Sequence, residues 1–302
     1  MIAVDLLVIG QSGQLARRLA KIGRTTSHSI DCLGRPKLDV TDLDSVRRAL
    51  SNHPHHMIVN CAAYTAVDRA EAEPSEADRI NRLGAANVAA AAAEADVPLL
   101  HVSTDYVFDG RKPTPYTEAD PVGPLSVYAA SKAAGEREIR ARHERHVILR
   151  TSWLYGPSGE NFVTAMLRLG RERPALGIVA DQVGSPTSVR DLADAILMIA
   201  QQIEHERPGR YGTFHYCGGG AVSRHDFARA IFEEAARFGY RPPEMTPITT
   251  AEYPTPARRP ANSALDCSRI AAIYDIVQRP WRESLAECIA EICASGRGPR
   301  IG

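Results

Sequence analysis

The sequence predicts an α/β fold, a doubly wound parallel sheet carrying a smaller α/β domain. Three observations predict it. Short, almost continuously apolar segments alternate with helix-like stretches through the first half of the chain, as expected of strands covered on both faces by crossover helices. A glycine-punctuated turn follows the first apolar segment and opens a helix. Beyond Thr151 the alternation loosens and prolines accumulate, so a second unit follows the first.

Asp5–Ile9 reads as a buried strand, and Gly10-Gln11-Ser12-Gly13-Gln14-Leu15-Ala16 leads into the helix-like run Arg17–Lys21. Glycines in such a turn let the backbone approach a pyrophosphate, whose charge sits on the amides at the helix start. Ser29–Leu33 is the next strand, and Met57–Asn60 and Pro98–Val102 follow. Between the last two runs an alanine-rich helix, Ile80 to Ala95, ended by Asp96-Val97-Pro98. Val127–His143 reads as a helix and His146–Leu149 as a strand. Residues 1–150 are therefore expected to form a Rossmann-type dinucleotide-binding domain. Residues 151–302 are expected to be mainly a substrate domain, with helices at Asn161–Arg171, Leu192–Ile203 and Arg224–Phe238. Strand segments near 177–180 and 213–216 are expected to return to the main sheet. Pro242, Pro243, Pro247, Pro254, Pro256 and Pro260 mark a loop-rich stretch before a final helix, Trp281–Ala294.

The 302 residues are 44% hydrophobic and 24% charged, ordinary for a soluble globular chain. Lys plus Arg and Asp plus Glu number 36 each, which gives no electrostatic case for nucleic acid or an anionic membrane. No apolar stretch reaches spanning length, and the N-terminus runs straight into a strand without a signal-peptide pattern. A cytoplasmic location is expected. Six cysteines without a Cys-x-x-Cys pair suit buried thiols in a reducing compartment. His53-Pro54-His55-His56 lacks a nearby Cys, Asp or Glu to complete a metal site and reads as a solvated loop.

Tyr128 and Lys132 lie one helical turn apart, so phenol and ammonium can share a pocket. An ammonium beside a phenol lowers a pKa that is about 10 in water, and proton exchange near neutral pH is what ketone reduction by hydride requires. Tyr-x-x-x-Lys alone is a weak signal, and its neighbours strengthen it. Thr104 and Asp105 fall just past a strand, where ligands of such sheets bind. Thr104 can polarise a carbonyl or hold the phenol in line; capping a turn is the other role open to both residues. Asn60-Cys61-Ala62-Ala63-Tyr64-Thr65 ends another strand, with small side chains beside which a cofactor can lie flat. Arg35 and Lys37 follow Ser29–Leu33 and favour the 2′-phosphate of NADPH, whereas a register placing Asp31 at the strand end favours NADH. Trp153 suits either the core or stacking on a sugar face.

These motifs make the chain resemble the extended short-chain dehydrogenase/reductase family, and within it the dTDP-4-dehydrorhamnose reductases. The resemblance also covers Asn60–Asp68, Ser103–Gly110, Arg150–Tyr155, Asn161-Phe162, Asp181–Thr187 and Tyr253–Pro260. It implies NADPH-dependent reduction of the C4 ketone of a dTDP-linked sugar. Tyr128 would donate the proton, Lys132 would bind the nicotinamide ribose and lower the Tyr128 pKa, and Thr104 would orient the reacting groups. Asp105 and Trp153 would contact the sugar nucleotide, and Asp39 and Val40 the adenine. Related dehydratases place Asp then Glu after the threonine; here Tyr106 follows Asp105, so simple reduction is the better reading. Asp105 as acid and Asp105 as sugar ligand both stay open. Some family members form a dimer bridged by a metal on glutamates, where this chain has Arg18 and Arg190. Two cations cannot ligate magnesium, so no metal is expected, and monomer and homodimer are equally open. A non-catalytic NADP-binding subunit resembling the methionine adenosyltransferase β subunit is the competing reading, with a reductase or epimerase of another nucleotide sugar as a third.

Overall fold

The computed structural model describes residues 3–51, 56–203 and 210–295; His53, Pro54 and His55 of the histidine cluster lie outside them. The first half alternates as β1 (Asp5–Ile9), α1 (Gln14–Thr25), β2 (Ser29–Leu33), α2 (Leu43–Ser51) and β3 (Met57–Asn60). It continues through α3 (Val67–Ala70), α4 (Pro74–Asp78), a π-helical turn (Arg79–Leu83), α5 (Gly84–Glu94), β4 (Leu99–Thr104), α6 (Val127–Arg142) and β5 (His146–Thr151). The second half contains β6 (Leu154–Tyr155), α7 (Phe162–Glu172), β7 (Ala175–Val179), β8 (Val183–Gly184), β9 (Thr187–Ser188) and α8 (Val189–Ile203). It ends with β10 (Gly212–His215), β11 (Val222–Ser223), α9 (Arg224–Ala236), β12 (Glu244–Ile248), α10 (Ser268–Tyr274) and α11 (Trp281–Ala294).

Six parallel strands make the main sheet in the order β10-β5-β4-β3-β1-β2. Successive side chains point to opposite faces, and both faces are covered. Leu6, Val8, Met57, Val59, Val147 and Leu149 pack with α1 and α8, while Leu7, Ile9, Ile58, Leu99 and Ile148 pack with α2, α5 and α6. Burial on both faces is why these segments read as unbroken apolar runs. The strand order reverses between β1 and β3, and such a switch point opens a crevice at the carboxyl ends.

Two expectations are corrected. The segment near 177–180 does not return to the main sheet. It is part of β7, which pairs in parallel with β12 from Ala175↔Glu244 to Val179↔Ile248 in a separate two-stranded sheet. β10 occupies the edge beside β5, and β7 buries only alternate residues, Leu176 and Ile178. One wetted face does not suit a sheet layered by helices on both sides. Pro247 is tolerated in β12 because that strand lies at an edge. The helix expected from Ile80 begins earlier, at Pro74, whose ring suits a first helical turn, and passes through the π-turn into α5.

A second core, separate from the sheet layers, gathers Tyr155, Val163, Leu176, Phe227, Phe232 and Leu285 from β6, α7, β7, α9 and α11. Among the described residues no helix is long and apolar enough to cross a membrane. The alanines of α5 allow close approach to α6, and at the tightest point a Cβ on Gly135 would collide with the Asn81 carbonyl oxygen and lie 3.2 Å from the Ala85 methyl. Backbone cannot swing aside. Gly135→Ala should therefore destabilise the fold by about 1–3 kcal/mol, measured by urea unfolding, and a variant as stable as the parent would show that α6 can shift outward freely.

Candidate active site

A cleft of about 430 Å³ lies over the carboxyl ends of the central strands, lined by Thr104, Asp105, Tyr128, Lys132, Thr151 and Trp153. Thr104 and Thr151 are the last residues of β4 and β5 and stand in register. The Thr104 hydroxyl donates to Asp105 Oδ1 at 3.1 Å and accepts from the Tyr106 amide at 3.2 Å. The same hydroxyl faces the Tyr128 phenol and pulls its pKa down. Thr104 thus caps the turn and faces the site at once.

Ser126 starts α6, its hydroxyl accepting from the Ala129 amide at 3.2 Å. Tyr128 follows in the first turn and Lys132 in the next. Tyr106 meets the Tyr128 ring edge-on at 6.3 Å. Lys132, 2% exposed, sends its Nζ to the Val102 carbonyl at 2.8 Å and to His101 Nε2 at 3.0 Å.

This geometry corrects the expected lowering of the Tyr128 pKa. Burial pushes the phenol above its ordinary value, Asp105 and Tyr106 push the same way, and only the Thr104 hydrogen bond opposes them. Burial also lowers Lys132, to about 8, against the opposing pull of Glu136 and Cys61. Desolvation penalises whichever form is charged, and the amine is turned toward β4.

Asp105 is 2% exposed, and burial raises it to about 6 against the pull of Ser263, Thr104 and Arg224. Its Oδ2 and the Thr151 hydroxyl are buried without a hydrogen-bond partner. Two orphaned polar atoms on one cleft wall suit the hydroxyls of a polar ligand.

Trp153 follows β5 with φ 45°, in the left-handed region. A Cβ on Gly184 would overlap its indole. The Arg224 guanidinium lies 3.6 Å over the ring and reaches the Tyr106 hydroxyl at 3.2 Å. The half-buried indole lines the cleft while its other contacts run to Phe227 in the second core. Core and site are the same place here.

The turn after β1 fits a dinucleotide pyrophosphate. Gly10 has φ 113°, and a Cβ there would meet the Ala62 amide at 3.0 Å and the Cys61 carbonyl carbon at 3.1 Å. Gly13 begins α1 without a side-chain cap, and a Cβ there would have open space for 4 Å. The helix start is therefore available to an anion. Gly13, Gln14, Leu15 and Ala63 line the cleft; Ser12 gives its carbonyl to Arg17 at 2.6 Å. Gln11 ties the turn to the end of β2 through the Arg35 carbonyl at 2.8 Å. β2 ends at Leu33, so exposed Arg35 and Lys37 follow it while Asp31 sits within the strand opposite Leu7.

The remaining residues expected to hold cofactor stand apart. Asp39 accepts from the Thr41 amide and hydroxyl at 2.9 and 2.8 Å, bonds that hold its carboxyl below the usual range. Val40 is buried beneath Gly84. Tyr64 turns its phenol toward Glu73 at 2.7 Å and Arg69 at 3.0 Å, in the helical layer. Sequence reasoning missed Thr151, Arg224 and His101. Thr151 lies two residues past the strand end expected at Leu149, whereas Arg224 arrives from a helix 71 positions beyond Trp153 in sequence and carried no signal.

Residues 4–294 match the family model of the RmlD substrate binding domain. The chain is 44% identical to the dTDP-4-dehydrorhamnose reductase of Aggregatibacter actinomycetemcomitans, covering 93% of this chain and 96% of that protein. It is 42% identical to the same enzyme of Sinorhizobium fredii, over 97% and 99%. The crystal structure of dTDP-4-dehydrorhamnose reductase from Bacillus anthracis in complex with NADP superposes with a TM-score of 0.87 at 36% identity, covering 96% of this chain and all of that one.

Because folding raises the Asp105 pKa from about 3.8 to about 6, the folded state binds the extra proton between those values, and the neutral acid is the form the fold prefers. Its contribution to stability is thus present at low pH and lost as pH rises through about 6. Asp105→Asn should gain about 2–3 kcal/mol relative to the parent between pH 4 and 7, read by urea unfolding at both pH values; a constant difference would show that folding leaves the Asp105 pKa unshifted.

Proposed function

The chain belongs to the dTDP-4-dehydrorhamnose reductase family, and from that premise we infer how its residues perform the reaction. It reduces the C4 ketone of dTDP-4-dehydro-β-L-rhamnose to dTDP-L-rhamnose with NADPH, the last step in making that activated sugar. The observation that carries the residue assignment is the convergence of Thr104, Tyr128 and Lys132 beside an uncapped helix start.

When bound, NADPH supplies the hydride. Gly10 and Gly13 let the turn approach its pyrophosphate, and Arg35 and Lys37 at the rim of β2 suit its 2′-phosphate. Thr104 turns its single hydroxyl proton from Asp105 Oδ1 to the ketone oxygen and so polarises it, and the Tyr128 hydroxyl gives its proton to the alkoxide oxygen formed there. A phenol whose pKa burial raises is fully protonated at neutral pH, the form a proton donor needs. Lys132, once charged, steadies the phenolate left behind. Asp105 Oδ2 and Thr151 Oγ1 suit sugar hydroxyls, the Trp153 indole suits the apolar face of the ring, and Arg224 gives that wall a charge complementary to a diphosphate. A cytoplasmic enzyme is expected, monomeric or homodimeric, without a bridging metal at Arg18 and Arg190.

Tyr128→Phe should lower turnover by about 10²–10⁴ with cofactor affinity near normal, followed as NADPH oxidation with the keto-sugar nucleotide. No oxidation by the parent protein under any condition would favour the non-catalytic binding subunit, and competition among dTDP-, UDP- and GDP-linked keto sugars would reveal another substrate. Arg35→Ala should weaken NADPH binding about five- to tenfold and leave NADH almost untouched; equal losses for both would remove Arg35 from phosphate recognition.

A further inference from the structure

Behind the catalytic helix lies a buried polar chain that the reaction chemistry leaves unused. Asn60 and His101 end β3 and cross β4 in register, and with Lys132 they are 2%, 1% and 2% exposed. Asn60 Oδ1 accepts from the Ala62 amide at 3.1 Å. Asn60 Nδ2 lies 3.1 Å from His101 Nδ1, and His101 Nε2 lies 3.0 Å from Lys132 Nζ.

The donors and acceptors of this chain can be followed one by one. The Ala62 amide can only donate, so it fixes the oxygen of Asn60 on its own side and turns the amide nitrogen toward His101. That nitrogen can only donate, so His101 Nδ1 must accept. Burial and the neighbouring lysine hold His101 well below its ordinary pKa, so the ring is neutral and has one N–H. It sits on Nε2 and points at Lys132 Nζ. An ammonium has no lone pair to receive it, whereas a neutral amine has one. The amine still donates to the Val102 carbonyl at 2.8 Å.

We propose that Asn60 and His101 are positioning residues that hold Lys132 against β4 and bias it toward the neutral amine, and that the lysine turns to the ribose and is held as the ammonium once the dinucleotide binds. The ribose contact rests on the function inferred above; the tautomer and the neutral amine do not. The other groups facing Lys132 fit this state. Cys61 is a neutral thiol, pushed up by burial to about 12. Glu136, one turn on, is ionised but already spent on Arg150 and Arg140 at 2.7 and 2.8 Å, and Tyr128, one turn back, is a neutral phenol. Near and above the lowered midpoint of Lys132, binding of the cofactor is thereby coupled to proton uptake from solvent.

The chain has four lysines, Lys21, Lys37, Lys112 and Lys132, so lysine labelled with ¹³C at Cε gives four resolvable titrations, with Lys132 assigned by Lys132→Arg. In the cofactor-free protein Lys132 should titrate near 8, about two pH units below a lysine in water. His101→Gln, whose amide oxygen can accept from an ammonium, should raise that midpoint by about one pH unit or more. Asn60→Asp should raise it as well, since a carboxylate accepts from Nδ1–H and reverses the tautomer. Saturation with NADP should raise the Lys132 midpoint back toward the ordinary lysine value. Should either variant fail to fold, ¹⁵N spectra of the parent report the His101 tautomer directly. An Nδ1–H ring, a Lys132 midpoint near the ordinary value, or a midpoint indifferent to both substitutions would overturn the proposal. None of these readings needs turnover, so a protein that shows the expected tautomer and midpoint yet oxidises no NADPH would fault the assigned reaction alone.

Discussion

A single buried ion pair fixes where the chemistry can occur. Glu136 on α6 and Arg150 on β5, 1% and 2% exposed, meet at 2.7 and 2.9 Å. Ser103 of β4 donates to the same carboxylate at 2.6 Å and Arg140 at 2.8 Å. Burial alone would raise the Glu136 pKa, but the Arg150 guanidinium overrides it and holds the carboxyl below its usual range. Such a pair adds little over an apolar substitute, yet losing one member strands a charge at a cost of about 3–5 kcal/mol. Its value is directional. It fastens α6 to β4 and β5 one turn beyond Lys132, so the positions of Tyr128, Lys132 and Thr104 relative to one another follow from it.

Once the helix is fixed there, desolvation governs the reacting groups. Tyr128, Asp105 and Lys132 are all driven toward their uncharged forms, because groups buried in the cleft floor lose the solvation that a charge needs. A neutral phenol has a proton to give. An amine near its own midpoint responds to a partner of modest strength, where an ordinary ammonium would stay charged whatever touched it. The same burial leaves Asp105 Oδ2 and Thr151 Oγ1 without protein partners, two positions that a polyhydroxylated ligand can satisfy.

How much of this was legible beforehand depended on the range of the forces involved. β1, β2, β3 and α11 have the bounds that the sequence predicts, because each is an apolar or amphipathic run, or, for β2, a short run closed by Gly34 and Pro36, whose signal is local. The two-residue strands β6, β8, β9 and β11 carry no such run. β7 was visible as a strand, but its partner β12 was hidden behind Pro247. At the site, spacing alone brought Tyr128 and Lys132 onto one face of a helix. The direction of the Lys132 amine was not legible, since it depends on His101 from another strand. Nor was the phenol's rise above its ordinary value, which is a property of the enclosed cleft and not of any motif. The direction of the Tyr64 phenol, toward Glu73, was not legible either, because strand-end residues share a backbone location without sharing a side-chain direction.

Trp153 shows how far apart the determinants of one wall can lie. A non-glycine residue in the left-handed region costs about 1–2 kcal/mol, so the indole keeps this pose only while Arg224 covers it and residue 184 has no side chain. Neither of those two positions has any reactive group in the hydride chemistry. Drift at 184 alone would evict the aromatic panel, and drift at 153 alone would leave a void under a guanidinium. The three sites are therefore free to diverge only in concert, and a lineage that recruits this scaffold for a different sugar must travel through that joint change.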